Sequence, residues 1–381
     1  MKSKEIESKA IENKSEFKNE FSLCKACAKR QASRIGVKLV HNEQCYLCKG
    51  IFDRLGGIAE RVATKLETTD AEYYTFLIGT RLPKDMATRE EELWENLGLS
   101  KECLKTELNR ELGKLIETNY KKYRYDPDPD VKAIYDIRSG IIDIELTSLF
   151  IFGKYNKLKR GVRQTIRAGS DEESVEEFIT PSFVAAARAE KAYFHGHGRE
   201  DIDVLMLGKG RPFIVEVVGP RVRKLNLSKL THEINEKAKG KVEVRDLKYT
   251  KSSMVANIKN AKFDKNYKAL VELSTPIKEN DLEKILSHCL LLQRTPLRVL
   301  NRRADLVRKR RVREIKAKFV NKKHDLIELT MTTESGTYVK EFISGDEGRT
   351  EPSITSMLGI TAKCKELNVL RIHSEWYEDF W

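Results

Sequence analysis

The sequence lacks any long apolar run. No segment approaches the ~20 consecutive apolar residues that a membrane-spanning helix needs. The N-terminal stretch MKSKEIESKAIENKSEF is rich in charge and has no apolar centre of the kind found in signal peptides. Internal repeats and low-complexity tracts are also missing from the chain. These absences favour a soluble, cytoplasmic protein with no membrane partner.

Apolar material is nevertheless sufficient for folded domains. The 381 residues are 40% hydrophobic and 34% charged, a composition far from that of disordered chains. A chain of this length exceeds one ordinary domain, so we expect two or three domains, each with its own core.

Positive charge is concentrated in one part of the chain. The formal net charge is +13, and residues 294–316 (RTPLRVLNRRADLVRKRRVREIK, the basic segment) hold ten Lys or Arg against two acids. Such a cluster repels itself unless a polyanion lies across it, and guanidinium groups suit bidentate contact with phosphate. The basic segment therefore predicts nucleic-acid binding, with a solvated helical face as the alternative. The candidate RNA-binding residues are Arg294, Arg298, Arg302, Arg303, Arg310 and Arg311.

Four of the seven cysteines form one pattern. Cys24-x2-Cys27 is followed, after seventeen residues, by Cys45-x2-Cys48. Each CxxC pair places two thiolates on one tight turn, and two pairs complete a tetrahedral shell around Zn²⁺. Because all four positions are filled by sulfur, none is left for a reacting water, and we expect a structural zinc ion. Disulfides are not expected in a chain without secretion signals. The remaining cysteines, predicted to be buried thiols, are Cys103, Cys289 and Cys364.

Patterns along the chain divide it into three expected parts. Residues 1–50 contain a charged helix over 1–20 and the four-cysteine module. Residues 51–167 read as a compact α/β domain that ends in the basic stretch GKYNKLKRGVRQT. The small polar stretch AGSDEES is the best linker candidate, so residues 168–381 form the last part.

Local signals in the last part predict a mixed domain. Thr180-Pro181 is typical of a helix start, and Gly208-Lys209-Gly210 between two apolar runs predicts a hairpin. Alternating stretches such as YKALVEL (267–273), KHDLIELTM (323–331) and GTYVKEFI (336–343) read as strands. The expected class is α+β, with a mainly antiparallel sheet flanked by helices.

The stretch HGHGREDIDVLMLGKGRPFIVEV (195–217) is open to three interpretations. His195, His197, Asp201 and Asp203 are all potential metal ligands, but an arginine directly after this histidine pair opposes a cation. A hairpin with solvated charges is the plain structural interpretation. A catalytic carboxylate is the third, and the residues of this stretch alone do not decide between them.

Three motifs, in the same chain order, resemble those of pseudouridine synthases. GRED (198–201) is similar to the GRTD-type signature around their nucleophilic aspartate, NYKALVEL (266–273) to their KxYxAL motif, and SGTYVKEF (335–342) to their GTYIR motif. The CxxC pairs, FGKYNKLKRGVRQT, QRTPLRVLNRRADLVRKR and GDEGRTEPSITSMLG extend the likeness over nearly the whole chain. The chain thus resembles the archaeal family of tRNA pseudouridine synthases that act on positions fifty-four and fifty-five.

The resemblance implies a zinc-containing THUMP-like RNA-binding domain (51–167) ahead of a pseudouridine synthase catalytic domain (168–381). It also implies an isomerase that needs no organic cofactor and no obligate protein partner, acting on two adjacent uridines of the tRNA T-loop.

Site residues follow from the same motifs. Asp201 is the implied nucleophile, attacking either sugar or base, and a nearby cation would keep it ionised. Lys340 is the expected cation, although many members of the superfamily have arginine there. Tyr267 and Tyr338 would cover the base, and Leu358 would supply an apolar wall.

Two other functions compete with this interpretation. A non-catalytic zinc- and THUMP-containing RNA-binding protein would use the same N-terminal half without chemistry. A metal-dependent nuclease or hydrolase would use the two histidines near Asp201.

Overall fold

The structure is a computed structural model, and it describes residues 20–31, 36–98, 101–167, 169 and 173–374. The helix expected over 1–20 lies, apart from its last residue, outside the described residues, as does most of the AGSDEES linker. No described helix has the length and apolarity that spanning a membrane requires.

The chain forms two compact units, Met1–Thr147 and Ser148–Trp381. The division lies well before the expected boundary at residue 167. The reason is that residues 149–157, which we assigned to the end of the first α/β domain, form a strand in the sheet of the second unit.

The first unit contains six strands and four described helices. The strands are β1 (Phe21–Leu23), β2 (Val37–Leu39), β3 (Thr75–Arg81), β4 (Arg124–Tyr125), β5 (Val131–Asp136) and β6 (Ile142–Leu146). The helices are α1 (Lys25–Arg30), α2 (Leu55–Glu67), α3 (Lys84–Leu97) and α4 (Leu104–Asn119).

Two sheets organise the first unit. Strands β1 and β2 pair in parallel beside the four cysteines, and the main sheet has the order β4-β3-β5-β6. Helix α4 buries Leu104, Leu108, Leu112 and Ile116, which recur every three to four residues and form one apolar stripe. This stripe joins the core that also contains the cysteines, so the four-cysteine module and the sheet share one interior.

The second unit is built on one large sheet. Its strands are β7 (Leu149–Lys157), β8 (Lys191–Gly196), β9 (Val204–Val218), β10 (Val242–Thr250), β11 (Lys265–Leu273), β12 (Cys289–Arg294), β13 (Val307–Phe319), β14 (Leu326–Thr333), β15 (Thr350–Glu351) and β16 (Ala362–Ile372). Its described helices are α5 (Val175–Ala187), α6 (Leu227–Ala238), α7 (Ser253–Asn260), α8 (Val339–Ser344) and α9 (Ile354–Leu358).

The strand order is β10-β7-β9-β16-β11-β14-β13-β12-β15, and β8 pairs with β9. Among the described strands of this sheet, β9 and β16 are the one parallel pair. Apolar side chains cover both faces and form two separate cores. The expected α+β class with a mainly antiparallel sheet is confirmed.

The predicted hairpin at Gly208-Lys209-Gly210 is wrong. Strand β9 runs through it without reversing, and both glycines adopt positive φ angles of 61° and 80°. A Cβ atom at position 208 would lie 1.9 Å from the carbonyl oxygen of Leu370, so the backbone there approaches β16 too closely for any side chain. The glycines therefore form an irregularity within a strand.

Two further local predictions are wrong. Helix α5 begins at Val175, where Ser174 and Glu177 form a capping box, so Pro181 lies inside the helix and not at its start. Most of the stretch 336–343 is helix α8 instead of a strand. Its buried residues Val339, Phe342 and Ile343 have helical spacing, which its apparent alternation obscures.

Candidate active site

A cavity of about 550 Å³ in the second unit collects most of the predicted site residues. Its lining includes residues 198–204 and 335–340, together with parts of β11, β16 and the segment 298–303. The predicted residues that line it are Asp201, Tyr267, Arg298, Arg302, Arg303, Tyr338 and Lys340. Leu358 is not in the lining, because it is buried in the core beneath the sheet. The lining also lacks Arg294, Arg310 and Arg311.

The sheet explains why residues far apart in the chain meet here. Asp201 ends the turn that leads into β9, and Val204 at the start of β9 pairs with Leu367 of β16. Two residues further along β16, Val369 pairs with Tyr267 of β11. Helix α8, which carries Lys340, packs against β16. Three neighbouring strands and one helix thus deliver the motifs to one point.

The Asp201 carboxylate is held by two cations. Arg298 Nη1 lies 3.2 Å from Asp201 Oδ1 and 3.1 Å from Oδ2, and Lys340 Nζ lies 3.5 Å from Oδ2. The Asp201 side chain keeps 36% exposure, so a substrate can reach it from the cavity. The expected partner, Lys340, is therefore present, but Arg298 makes the shorter contacts.

Lys340 forms its shortest ion pair with a different acid. Its Nζ atom lies 2.7 and 2.8 Å from the two carboxylate oxygens of Asp203. Partial burial of Asp203 would raise its pKa, but the hydrogen bond and charge of Lys340 outweigh this and leave the pKa below its ordinary value. Lys340 thus bridges Asp201 and Asp203.

Arg298 is a site residue that the sequence interpretation assigned to RNA binding alone. Its Nε atom donates to Glu341 Oε1 at 2.6 Å, so one guanidinium joins Asp201 to a buried acid of helix α8. Burial lowers the pKa of Arg298, but its bonds to Glu341 and Asp201 outweigh this and raise it overall. The side chain is therefore a permanent cation. Only a signal that linked positions 201, 298 and 341 could have revealed this from sequence.

Two tyrosines face the same cavity. Tyr267 is partly buried on β11, and burial raises its pKa to about 12, so the ring stays neutral. Tyr338 precedes helix α8, and its hydroxyl accepts a bond from Arg303 Nη1 at 3.3 Å. The buried amide of Gln293 fixes the Tyr338 backbone with two hydrogen bonds of 2.8 and 2.9 Å. Gln293 is a second supporting residue that the sequence did not indicate.

Buried donors hold the backbone of the turn that carries Asp201. Lys157 Nζ donates to the carbonyl oxygens of Val162 at 2.8 Å, Asp201 at 2.9 Å and Ile202 at 3.3 Å. Burial lowers the pKa of Lys157 to about 8. The ammonium group of this fully buried residue is compensated by carbonyl dipoles, and it fixes the main chain on both sides of the Asp201 peptide.

A buried ion pair completes this support. Glu200 and Arg211 are 2.8 Å apart with side chains 1% exposed, and the Tyr155 hydroxyl donates to Glu200. Arg211 also donates to the carbonyl of His197 at 2.7 Å, and Gln164 donates to that of Gly198 at 2.8 Å. Of the two acids in GRED, Glu200 therefore serves structure.

The two histidines do not join Asp201. His195 Nε2 lies 2.9 Å from Glu216 Oε2, and His197 Nδ1 donates to the carbonyl of Ile258 at 2.9 Å. Burial lowers the pKa of His197 to about 4, so its ring is neutral. Across the described parts of the chain, the one group of three or more potential metal ligands is the cysteine cluster in the first unit. The geometry gives no support to a metallohydrolase site here.

The four predicted cysteines meet in the first unit. Cys24, Cys27, Cys45 and Cys48 are buried, their sulfur atoms all lie within 4.8 Å of one another, and Cys24 Sγ is 3.7 Å from Cys48 Sγ. A tetrahedral shell with ~2.3 Å bonds separates its sulfurs by roughly 3.8 Å, so the cluster fits a metal ion. Cys289 is also buried, whereas Cys103 and Cys364 are partly exposed.

Arg30 connects this cluster to helices α3 and α4. Its Nη2 atom donates to Cys27 Sγ at 3.5 Å, its Nη1 lies 3.1 Å from Glu90, and its Nε forms an ion pair with Glu107. Glu90 also accepts from the backbone of Leu104 at 2.7 Å, where α4 begins. The cysteine cluster is therefore bound into the interior of the first unit.

Comparisons with known proteins agree with the two units. The family model described as Pus10, C-terminal, matches residues 150–373, and the archaeal Pus10 THUMP domain model matches residues 58–136. The first matches more than half of the chain.

Individual relatives extend the match to most of the chain. A tRNA pseudouridine synthase Pus10 from Methanothrix thermoacetophila is 41% identical over 366 residues, covering 90% of this chain and 80% of the relative. Its counterpart from Pyrococcus furiosus is 37% identical, with 95% and 97% covered. A solved archaeal box H/ACA sRNP Nop10–Cbf5 complex aligns at 14% identity and a TM-score of 0.30, covering 58% of this chain and 47% of that one.

Proposed function

Because the chain belongs to the archaeal Pus10 family of tRNA pseudouridine synthases, we propose that Asp201 is the nucleophile that converts tRNA uridine to pseudouridine. The reaction breaks the bond between N1 of uracil and C1′ of ribose and forms a bond between C5 and C1′. The proton lost from C5 is balanced by the proton gained at N1, so no cofactor is consumed. Asp201 forms a transient covalent bond to either sugar or base.

One observation supports this assignment above the others. Arg298 and Lys340 place two cations against a carboxylate that remains open to the cavity. An opposite charge within ~4–6 Å favours the ionised form of an acid, and only the carboxylate is a nucleophile. Asp203 is the weaker candidate, because Lys340 binds both of its oxygens.

The tyrosines fit the handling of the detached base. A uridine inside a folded RNA must be flipped out before chemistry, and the free uracil must then be kept from escaping. Tyr267 and Tyr338 supply aromatic surface beside Asp201. We assign to Tyr267 the position over the ring, while Tyr338 lines another part of the cavity and Lys340 helps to hold the acid.

The substrate is proposed to be the T-loop of tRNA, at positions fifty-four and fifty-five, and the cell compartment the cytoplasm. The basic segment lies partly in the cavity wall and partly on β13, where its side chains face solvent on the strand. Arg302, Arg303, Arg310 and Arg311 are proposed to contact phosphates, as shape-based recognition of folded RNA requires. The residues that match the THUMP model would add further RNA contacts.

The cysteine cluster is proposed to hold one structural Zn²⁺. The ion would supply cross-linking of two short turns, and four sulfur ligands leave no open position for substrate. Cys24, Cys27, Cys45 and Cys48 would all be ligands, with Arg30 donating to one of the thiolates.

The test uses unmodified tRNA transcript and the purified full-length protein in EDTA, followed by mapping of pseudouridine. The wild type should convert the target uridines, Asp201→Asn should not, and Asp203→Asn should retain measurable conversion. All three proteins should bind tRNA equally within a few-fold.

Other outcomes identify the competing functions. Binding by wild type without any conversion would indicate a non-catalytic RNA-binding protein. Strand cleavage that appears only when metal is restored would indicate a hydrolase. Full activity in Asp201→Asn would eliminate the proposed nucleophile.

A further inference from the structure

A second cavity, of about 410 Å³, adjoins the Asp201 cavity and is lined almost entirely by arginine. Besides Thr165, Ile166 and Asn301, its wall consists of five guanidinium-bearing residues and contains no carboxylate. These residues, which we name the arginine cradle, are Arg163, Arg167, Arg199, Arg298 and Arg302.

The two cavities share one wall. Four residues of the arginine cradle, all except Arg167, also line the Asp201 cavity. Arg298 has a contact in each role, since it binds Asp201 with one nitrogen while lining the second cavity. A ligand that fills both cavities therefore places one part at the nucleophile and the next part among the arginines.

Most of the charge in the arginine cradle is not offset by acids. Arg298 is paired with Asp201 and Glu341, but within the residues that the structure describes, Arg167, Arg199 and Arg302 form no ion pair. Like charges around one small cavity repel one another, and a bound anion removes that repulsion. Guanidinium groups offer forked donors that match the oxygens of a phosphodiester.

The backbone of the arginine cradle is fixed before any ligand arrives. Arg163 exchanges hydrogen bonds of 2.8 Å with the residues on either side of Ser174, donating to Glu173 O and accepting from Val175 N. Gln164 then donates to the carbonyl of Gly198, which precedes Arg199. Two segments that are distant in sequence are thereby tied together, so little ordering is needed on binding.

We propose that the arginine cradle binds backbone phosphates of the RNA strand that flank the nucleotide in the Asp201 cavity. This inference rests on the proposed function, because that cavity must hold a flipped uridine. Phosphate contacts position a nucleic acid without reading its sequence. The arginine cradle would thus set which nucleotide of the strand reaches Asp201, and Arg163, Arg167 and Arg199 become positioning residues that lie outside the basic segment.

The experiment replaces single phosphates of the substrate by neutral methylphosphonates. Full-length tRNAs assembled by ligation would carry one methylphosphonate at each linkage within three nucleotides of the target uridine. Each tRNA is tested with wild type, with Arg163→Gln/Arg167→Gln and with Lys322→Gln, which removes an exposed charge far from both cavities. Dissociation constants and single-turnover conversion are both measured.

For wild type and Lys322→Gln, neutralising a contacted phosphate should weaken binding about tenfold, the loss of one charge-assisted contact. The Arg163→Gln/Arg167→Gln protein should bind normal tRNA about tenfold more weakly but show no further loss with that methylphosphonate. Arginine-to-lysine replacement at both positions should restore part of the affinity.

Equal methylphosphonate effects in all three proteins, at every linkage, would overturn the proposal. So would binding of inorganic pyrophosphate that depends on Arg163 and Arg167 while RNA binding does not, because the cavity would then belong to a free anion. If wild type binds with the expected coupling yet forms no pseudouridine, the arginine cradle stands and the proposed chemistry fails. If conversion occurs without coupling, the reverse holds.

Discussion

Arg298 Nη1 lies within 3.2 Å of both carboxylate oxygens of Asp201, while Nε of the same guanidinium bonds Glu341 at 2.6 Å. A single cation thus orients the proposed nucleophile and is itself oriented by an acid that is buried in helix α8. Lysine could supply the charge but not two directional contacts at once, because its ammonium is a point charge. This arrangement gives the site two cations with different tasks.

Replacing Arg298 by methionine should therefore slow chemistry more than it weakens binding. We expect single-turnover conversion at saturating tRNA to fall by ~100-fold, the usual effect of removing one preorganised electrostatic contact. Arg298→Lys should recover part of the rate. Arg313→Met is the control, since Arg313 pairs with Asp264 outside both cavities.

Loss of Arg298 also leaves Glu341 buried without its partner, which should lower the free energy of unfolding by about 1–3 kcal/mol. The double variant Arg298→Met/Glu341→Gln should regain stability but not rate. A double variant that regains both would mean that Arg298 acts through folding alone.

The candidate site was predictable where a motif carried it. GRED, NYKALVEL and GTYVKEF each contain the residue that lines the cavity, so resemblance brought Asp201, Tyr267, Tyr338 and Lys340 together without any knowledge of the sheet. The cysteine cluster was predictable from spacing, because two thiolates on one turn is a local property. Whether these residues do chemistry is still a prediction.

Other parts of the site depend on distant contacts and left no local signal. Arg298 and Glu341 are 43 residues apart, and Lys157 reaches Asp201 across 44 residues. The irregular strand at Gly208 depends on its approach to Leu370, so a local turn rule gave a hairpin instead. Short elements such as α8 also have too few residues for alternation and helical spacing to be distinguished.

Lys265 should make the stability of the second unit depend on pH. Burial lowers its pKa from 10.5 to about 7, with the charge of Arg211 adding to the effect. Below pH 7 the residue is protonated in both folded and unfolded chains, so the full penalty of burying the cation applies. Between pH 7 and 10.5 the folded chain releases the proton while the unfolded chain keeps it. Stability from this group therefore rises with pH across that window and levels off above it.

The measurement is hydrogen exchange of the β11 amides in wild type and Lys265→Met. The variant should be more protected at pH 7 by a few kcal/mol in opening free energy, and the difference should shrink towards pH 10. A difference that is constant over this range would show that Lys265 has an ordinary pKa. Lys268→Met, at an exposed position on the same strand, controls for the general effect of removing a lysine.

Neutralising the basic segment should reduce the salt dependence of tRNA binding. The quadruple variant with Gln at Arg302, Arg303, Arg310 and Arg311 should bind more weakly, and the slope of log K against log salt should become less negative. Each lost phosphate contact contributes ~0.7–0.9 to that slope. Four exposed lysines outside both cavities, changed to glutamine together, provide the control of equal charge: Lys229, Lys322, Lys323 and Lys363. Equal slopes in the two variants would show that total charge, and not the basic segment, governs binding.

Cys24→Ser should destabilise the first unit and leave chemistry on bound tRNA intact. The four sulfurs lie in the same core as helices α3 and α4, and Arg30 links Cys27 to Glu90 and Glu107. Without a metal, the thiolates lose their charge compensation and this linkage loosens, because a structural zinc site contributes directly to folding. We expect one zinc per wild-type chain, far less in the variant, and faster hydrogen exchange in α3 and α4 but not in β9, β11 or β16. Single-turnover conversion at saturating tRNA should stay within about threefold of wild type, since the Asp201 cavity is built from the second unit alone. Cys103→Ser, which changes a cysteine outside the cluster, should match wild type in metal content and exchange. A wild-type protein without metal, or a variant that folds normally and fails only in the chemical step, would contradict a structural role for these four cysteines.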